Sequence, residues 1–260
     1  MGESKGAQPR LTPRQADILK IVQAKGFATI EALARQFDVS TQTVRRDLIR
    51  LQEAQLLQRF HGGAGMPENT VRLGYAQKRG LAADAKHRIG DATARLIPDG
   101  ASVFLDVGTT VEAVARALRF RRGLHIFTAS LNAAAILAGA DAHQVFVVGG
   151  LVRGADGSLV GDTAIANLGP FKFDCAVIGL SGFDDDGALM DFDMQKVAVK
   201  QAAIANARRV VAVADASKFE RSAVVRVAPP SAVHVLVTDA PPPAALRRAL
   251  TDAGLELIVA

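Results

Sequence analysis

From residue 100 to the end, the chain repeats one pattern: a short apolar run, a few small polar residues, then a helical stretch. Apolar runs fall near 103–107, 124–128, 144–148, 174–179, 209–214, 233–238 and 255–259, and helical periodicity covers 84–97, 111–120, 131–139, 193–207 and 244–253. Strands that are apolar throughout need cover on both faces. Parallel strands joined by crossover helices supply that cover. The sequence therefore predicts an α/β body built on a mostly parallel sheet. In such sheets ligands settle beyond the carboxyl ends of the strands.

The residues that follow the first three runs suit an anion. The stretch "SVFLDVGTT" places Asp106, Gly108, Thr109 and Thr110 after the first run, just before a helix. Glycine lets a phosphate approach the backbone, and the opening amides of the helix donate to it along a favourable dipole. Thr128, Ser130 and Asn132 follow the second run, and Gly149 and Gly150 the third. Asp106 can accept from sugar or polyol hydroxyls, while Lys200 and Lys218 offer cations. Taken singly, "GTT" also reads as a helix cap and "GG" as a turn. Their recurrence at strand ends points to a small phosphorylated ligand.

Other chemistries lack their signatures. There is no G-x-x-x-x-G-K-[ST] or G-x-G-x-x-G, "GLSGF" lacks nucleophile-elbow spacing, and "DDDG" reads as a hairpin turn rather than a calcium loop. The five histidines show no metal spacing. No cofactor and no metal is predicted.

The first sixty residues read differently. Thr12 to Gln15 form a helix start with Pro13 at the first position. A second helix follows Thr29, with Ile30, Leu33, Ala34 and Phe37 on one stripe. After "DVS", Ser40 caps a third helix, "TQTVRRDLIRLQEA", whose Val44, Leu48 and Leu51 face inward. Gln42, Arg45 and Arg46 then point outward, with Thr41 and Thr43 near the helix start and Arg50 a turn further on. Two helices, a short turn and a helix with exposed Thr, Gln and Arg make a helix-turn-helix, and arginine can grip phosphates or guanine edges. Leu56–Phe60 and the following glycines predict a wing that brings Arg59 and His61 to the backbone or minor groove. A generic three-helix bundle with a solvated basic face is the plainer alternative.

Charge agrees with a polyanion partner for this part. Residues 1–90 hold 15 Lys and Arg against 8 Asp and Glu, the remainder 16 against 18. The longest apolar runs are about six residues, too short for a membrane helix, and "MGESKGAQPR" carries neither a secretion core nor a myristoylation motif. With one cysteine, Cys175, the expectation is a cytoplasmic protein. The predicted organisation is a disordered tail (1–10), a winged helix-turn-helix domain (11–64), a linker (65–82) and a sensor body (83–260).

"VSTQTVRRDLIRL" followed by "RFHGGA" resembles the DNA-binding signature of the DeoR family of bacterial repressors. The stretches "LDVGTTVEAVARAL", "VVGGLVRGADGSLVG", "GLSGFDDDGALMDFD", "VADASKF" and "TDAPPP" are similar to that family's sensor domain. The resemblance implies a sugar-phosphate-isomerase-like fold, double-stranded operator DNA as partner, and a homo-oligomer, dimer or tetramer, joined through the sensor bodies. It implies an effector pocket lined by Asp106, Gly108, Thr109, Thr110, Ser130, Asn132, Gly149, Gly150, Asp193, Lys200 and Lys218. By likeness the effector is glycerol 3-phosphate, with a fructose- or tagatose-type phosphate as the alternative. Three positions depart from the family pattern: Gln55 for glycine, Ala129 for asparagine and Asp193 for glutamate. At a positive φ, Gln55 would cost about 1 kcal/mol; otherwise the helix runs further before the wing.

An isomerase-like enzyme fused to a DNA reader is the competing reading, with Asp106 or Asp193 as base and a lysine assisting. It leaves the DNA-binding module unexplained. The sequence thus predicts a repressor, not an enzyme.

Overall fold

The computed structural model describes residues 11–25, 27–60, 63–65, 82–139, 142–154, 156–221 and 223–260. His61, the predicted tail and nearly all of the predicted linker lie outside them. The chain divides into two units, Met1–Val71 and Arg72–Ala260.

In the first unit, α1 (Pro13–Lys25), α2 (Ile30–Phe37) and α3 (Thr41–Glu53) enclose a core of Ile18, Val22, Leu33, Val44, Leu48, Leu51 and Leu57. Thr29 caps α2 by accepting from Ala32 N (3.1 Å), and Ser40 caps α3 by accepting from Thr43 N (3.1 Å). Three short strands, β1 (Phe27–Thr29), β2 (Gln58–Phe60) and β3 (Gly63–Gly65), form an antiparallel sheet in the order β1-β3-β2. The wing is therefore β2 and β3. Strand β1 was not legible, because three residues are too few for an alternation to show.

The first described element of the second unit is α4 (Ala83–Arg95). Seven strands then pair in parallel: β4 (Ser102–Leu105), β5 (His125–Thr128), β6 (Gln144–Val147), β9 (Phe173–Gly179), β12 (Ala207–Val213), β14 (Val235–Thr238) and β15 (Glu256–Val259). Their order is β15-β14-β12-β9-β4-β5-β6. The crossovers include α5 (Thr109–Leu118), α6 (Leu131–Leu137), α7 (Asp162–Leu168), α8 (Met194–Ala205) and α9 (Ala244–Asp252). Side chains alternate across the sheet, so Val103 and Leu105 join one core while Phe104 joins the other. Each of the seven apolar runs predicted from sequence became one of these strands. A hairpin, β7 (Leu151–Arg153) with β8 (Ser158–Val160), and a small sheet of β10 (Gly182–Phe183), β11 (Leu189–Asp191) and β13 (Val225–Ala228) complete the unit. Among the described residues no helix is long and apolar enough to cross a membrane.

The chain lays down β4, moves outward to β5 and β6, then returns to place β9 on the other flank of β4. Strand order therefore reverses between β4 and β9, and the carboxyl ends of these two strands open the crevice where doubly wound sheets bind ligands.

Gln55 follows α3 with φ +57°, so the helix ends at Glu53 and this glutamine occupies the left-handed region. Exchange to glycine removes the Cβ penalty and returns part of the gain as chain entropy. Gln55→Gly is expected to stabilise the first unit by about 0.5–1 kcal/mol in urea unfolding. An unchanged or lowered stability would show the position to be unstrained.

Candidate functional site

In the first unit, Ser40, Gln42, Arg45, Arg46 and Arg50 are exposed on α3, Thr41 and Thr43 are half-buried at its start, and Arg59 is exposed on β2. The Ser40 and Thr43 hydroxyls lie 2.9 Å apart. What fixes this face is a residue that sequence reasoning passed over. Asp47 is buried on the inner side of α3 and accepts from Arg14 Nε (2.6 Å) on α1 and from buried Gln15 Nε2 (3.0 Å). It holds the outward residues in one orientation. Its position between Val44 and Leu48 on the core stripe was the available signal.

In the second unit, Asp106 and Lys200 are buried and face one another. Lys200 is 2% exposed and its Nζ lies 2.8 Å from Asp106 Oδ2, 2.8 Å from Asp191 Oδ2 and 2.6 Å from the Gly179 carbonyl it donates to. An ammonium has three protons, and these three acceptors use them. Asp106 Oδ2 also accepts from Gly179 N (3.0 Å), across the junction of β4 and β9. Asp191, absent from the sequence-based site, accepts from Ser181 Oγ (2.9 Å) and Phe192 N (2.7 Å). Burial opposes the charge on Lys200, but the two carboxylates outweigh it and raise the lysine. Burial pushes Asp106 up. It does the same to Asp191, where Lys200 and the Phe192 and Ser181 donors win and hold the carboxyl low. The expectation of Lys200 as a phosphate cation is therefore corrected: its charge is enclosed beneath the crevice.

A second group of predicted residues fastens the β7–β8 hairpin. Asp193 caps α8 through Gln195 N (2.9 Å) and Lys196 N (3.3 Å) and pairs with Arg153 Nε (2.8 Å). Lys196 pairs with Asp156 (2.5 Å), and Asn132 Nδ2 donates to the Asp156 carbonyl (2.9 Å). Ser130 is buried and caps α6 through Ala133 N (3.1 Å). Gly149 (φ +75°) and Gly150 (φ +108°) turn the chain from β6 into β7. A Cβ on Gly150 would stand 2.7 Å from the Val160 carbonyl, so close packing, not ligand approach, requires that glycine.

The third group remains open. Gly108 has φ +122°, yet a Cβ there would meet nothing within 4 Å. Glycine is needed for the backbone, and no described residue crowds the space above it. The first intrahelical bond of α5 runs from Glu112 N to Gly108 O (2.9 Å), leaving the amides of Thr109, Thr110 and Val111 ahead of it. A cavity of about 290 Å³ lies beside them, lined by Ala83, Lys86 and His87 of α4 and by Thr109, Glu112, Ala113 and Arg116 of α5. Gly90 brings these helices together, since a Cβ there would stand 2.7 Å from Ala113 O. Lys86 is buried, and burial lowers its pKa against the pull of Asp215 and Glu112. Burial also opposes ionisation of Asp215, but Lys218, the Ser217 hydroxyl and Lys86 hold it low. Lys218 thus shares a carboxylate with Lys86. Sequence reasoning passed over Lys86; the available signal was a lysine on the inner face of α4, one turn before Ile89 and Gly90.

Comparison with known proteins agrees across both units. A DeoR-like helix-turn-helix domain model matches residues 14–70, and a DeoR C-terminal sensor domain model matches residues 81–240. The glycerol-3-phosphate regulon repressor of Escherichia coli K12 is 39% identical over 246 residues, covering 95% of this chain and 98% of that protein. The repressor CsqR of the same organism is 39% identical over 247 residues, 95% of each chain. The Haemophilus influenzae glycerol-3-phosphate regulon repressor is 40% identical over 225 residues, 86% of this chain and 88% of its own. Ribose 5-phosphate isomerase A of Methanocaldococcus jannaschii covers 55% of each chain at 17% identity and TM-score 0.41, a likeness too slight to carry an assignment.

Replacing Lys200 by methionine leaves two buried carboxylates facing one another without their cation. Lys200→Met is expected to destabilise the second unit by about 3–5 kcal/mol in chemical denaturation. A loss under ~1 kcal/mol would show that the ion cluster does not hold the strand junction.

Proposed function

The chain belongs to the DeoR family, and on that premise we propose that it is a DNA-binding transcriptional repressor released from its operator by a small phosphorylated effector, glycerol 3-phosphate before fructose- or tagatose-type phosphates. The observation that carries the reading is α3, whose Gln42, Arg45, Arg46 and Arg50 are exposed together while Asp47 is clamped to α1. Paired copies place two such helices on half-sites about one helical turn apart, with Arg59 and His61 of each wing beside the backbone or minor groove. A regulator of this kind works in the bacterial cytoplasm, where its DNA lies.

The effector phosphate sits at the open start of α5. The amides of Thr109, Thr110 and Val111 donate to it, the Thr109 hydroxyl adds a donor, and Lys86 and Arg116 supply charge from the cavity wall. Glu112 accepts from the polyol hydroxyls. Lys218 acts through Asp215 at the same end of the sheet. Asp106, Lys200 and Asp191 form the floor, and Ser130, Asn132, Gly149, Gly150 and Asp193 shape the neighbouring hairpin. The matched relatives are named repressors, and the groups an isomerase would use for proton transfer are engaged elsewhere: Asp106 with Lys200, Asp193 with Arg153.

Release follows from differential affinity. The first described element of the sensor unit is α4, which carries Lys86. An effector that favours one setting of α4 by roughly 2–3 kcal/mol weakens DNA binding about 30- to 150-fold.

Arg46→Ala is expected to lower operator affinity about 5- to 150-fold, the equivalent of ~1–3 kcal/mol, with effector binding retained. An electrophoretic shift that matches the parent protein would remove Arg46 from the interface.

Lys86→Met and Thr109→Val are each expected to leave DNA binding intact and to abolish release by glycerol 3-phosphate. Because burial lowers the Lys86 pKa, its charge is lost on raising pH before that of an ordinary lysine, and effector affinity should fall over the same range. In Lys86→Arg the alkaline decline should disappear. Calorimetric affinities that stay flat with pH, or an unaltered Lys86→Met, would place the phosphate elsewhere.

A further inference from the structure

We propose that the edge which β6 and β7 leave unpaired among the described residues is the surface on which a second copy of this chain docks, its own β6 added antiparallel to the first. The proposal rests on the reading of paired copies and assigns them a contact. Among the described residues, eleven large hydrophobic side chains are exposed, and six fall between Leu131 and Phe171. They are Leu131 (40%), Phe146 (44%), Val147 (45%), Leu151 (65%), Val152 (55%) and Phe171 (39%). Among the described residues, strand β6 is the outer strand of the seven-stranded sheet, and β7 pairs with β8 alone.

Soluble proteins blunt such edges with charge, proline or a bulge. The stretch Gln144–Val152, "QVFVVGGLV", contains no charged residue and no proline. The patch is also stiff. Phe146 stacks on Phe127 at 4.8 Å, and Phe171 meets that ring at 4.5 Å, so the core continues to the surface through three aromatics.

Three features select a second copy as the occupant. The stretch 144–152 that would meet its own copy contains no charged residue, so pairing it with itself opposes no like charges. An edge strand added antiparallel to its own copy closes after two chains, with the same residues on both sides. The area is adequate: six side chains at these exposures present roughly 500 Å², so the two-fold contact buries about 1,000 Å² before backbone is counted, where specific interfaces begin. A chain that reads paired half-sites needs one two-fold, and this edge provides it.

The test is the mass of the full-length protein by light scattering at micromolar concentration. The parent chain is expected at two copies or a multiple of two, and Val147→Lys with Leu151→Lys at half the parent mass. Neither residue lines the α4–α5 cavity, so a thermal shift with glycerol 3-phosphate reports whether the variant is folded. A monomeric parent, or a folded variant at the parent mass, overturns the proposal; the edge would then be covered by residues 66–81 or by another protein. Should the variant melt without cooperativity, amide exchange on the parent decides. Amides of 144–152 that are protected support the contact, and amides that exchange as a free edge overturn it. Mass reads neither DNA nor effector, so failure here is separable from failure of the repressor reading.

Discussion

One buried cation organises the sensor unit. Lys200 reaches from α8 to Asp106 at the end of β4, to the Gly179 carbonyl at the end of β9 and to Asp191 on β11. Those are the two sides of the strand-order reversal and the small sheet beside it. Removing a charge from water costs several kcal/mol, recovered only when its partners are close and themselves hydrogen-bonded. Here each carboxylate has a further donor, Gly179 N for Asp106, and Ser181 Oγ with Phe192 N for Asp191. The cluster makes the crevice floor a fixed polar surface. It also explains why residues that look suited to phosphate in the sequence serve each other in the fold.

Outside that floor, ion pairs hold a more exposed element. Arg153–Asp193 and Lys196–Asp156 cross-link the β7–β8 hairpin to the start of α8, and Asn132 ties the same loop to α6. These pairs are partly exposed, so each contributes modestly. Together they set where the hairpin begins, and so where the edge of β6 and β7 faces. The sensor unit thus has a deep, charge-locked centre and a rim fastened by weaker contacts.

The sequence disclosed the parts governed by periodicity and left out those governed by pairing across the chain. Seven apolar runs became the seven strands of the sheet, because a strand covered on both faces has no other composition. Ser40, Thr29 and the outward arginines were legible from local spacing alone. Asp47, Lys86 and Asp191 were not, since each answers a partner on another element: Arg14 and Gln15, Asp215 and Glu112, and Lys200. A charged residue on an inward stripe was the trace that all of α3 and α4 offered. Asp193 shows why such traces are ambiguous, because a helix cap and a ligand group call for the same residue type. Gly150 is similar, since close packing on Val160 and an approaching anion both call for glycine.

The start of α4 shows how a small ligand can move a large equilibrium. Ala82 stands before it with φ +54° and no side-chain cap, a conformation that costs an L-residue about 1–2 kcal/mol. The helix is held against α5 seven residues further on, through Gly90 on Ala113. On the proposed reading a phosphate at Thr109 pulls on Lys86 in the first turn. Its leverage is then comparable with the strain already present, so a few kcal/mol of binding energy suffices to change which setting of α4 is populated. A rigid floor and a marginal first turn are what such a device requires. The floor lets the ligand distinguish two states, and the turn lets the states differ.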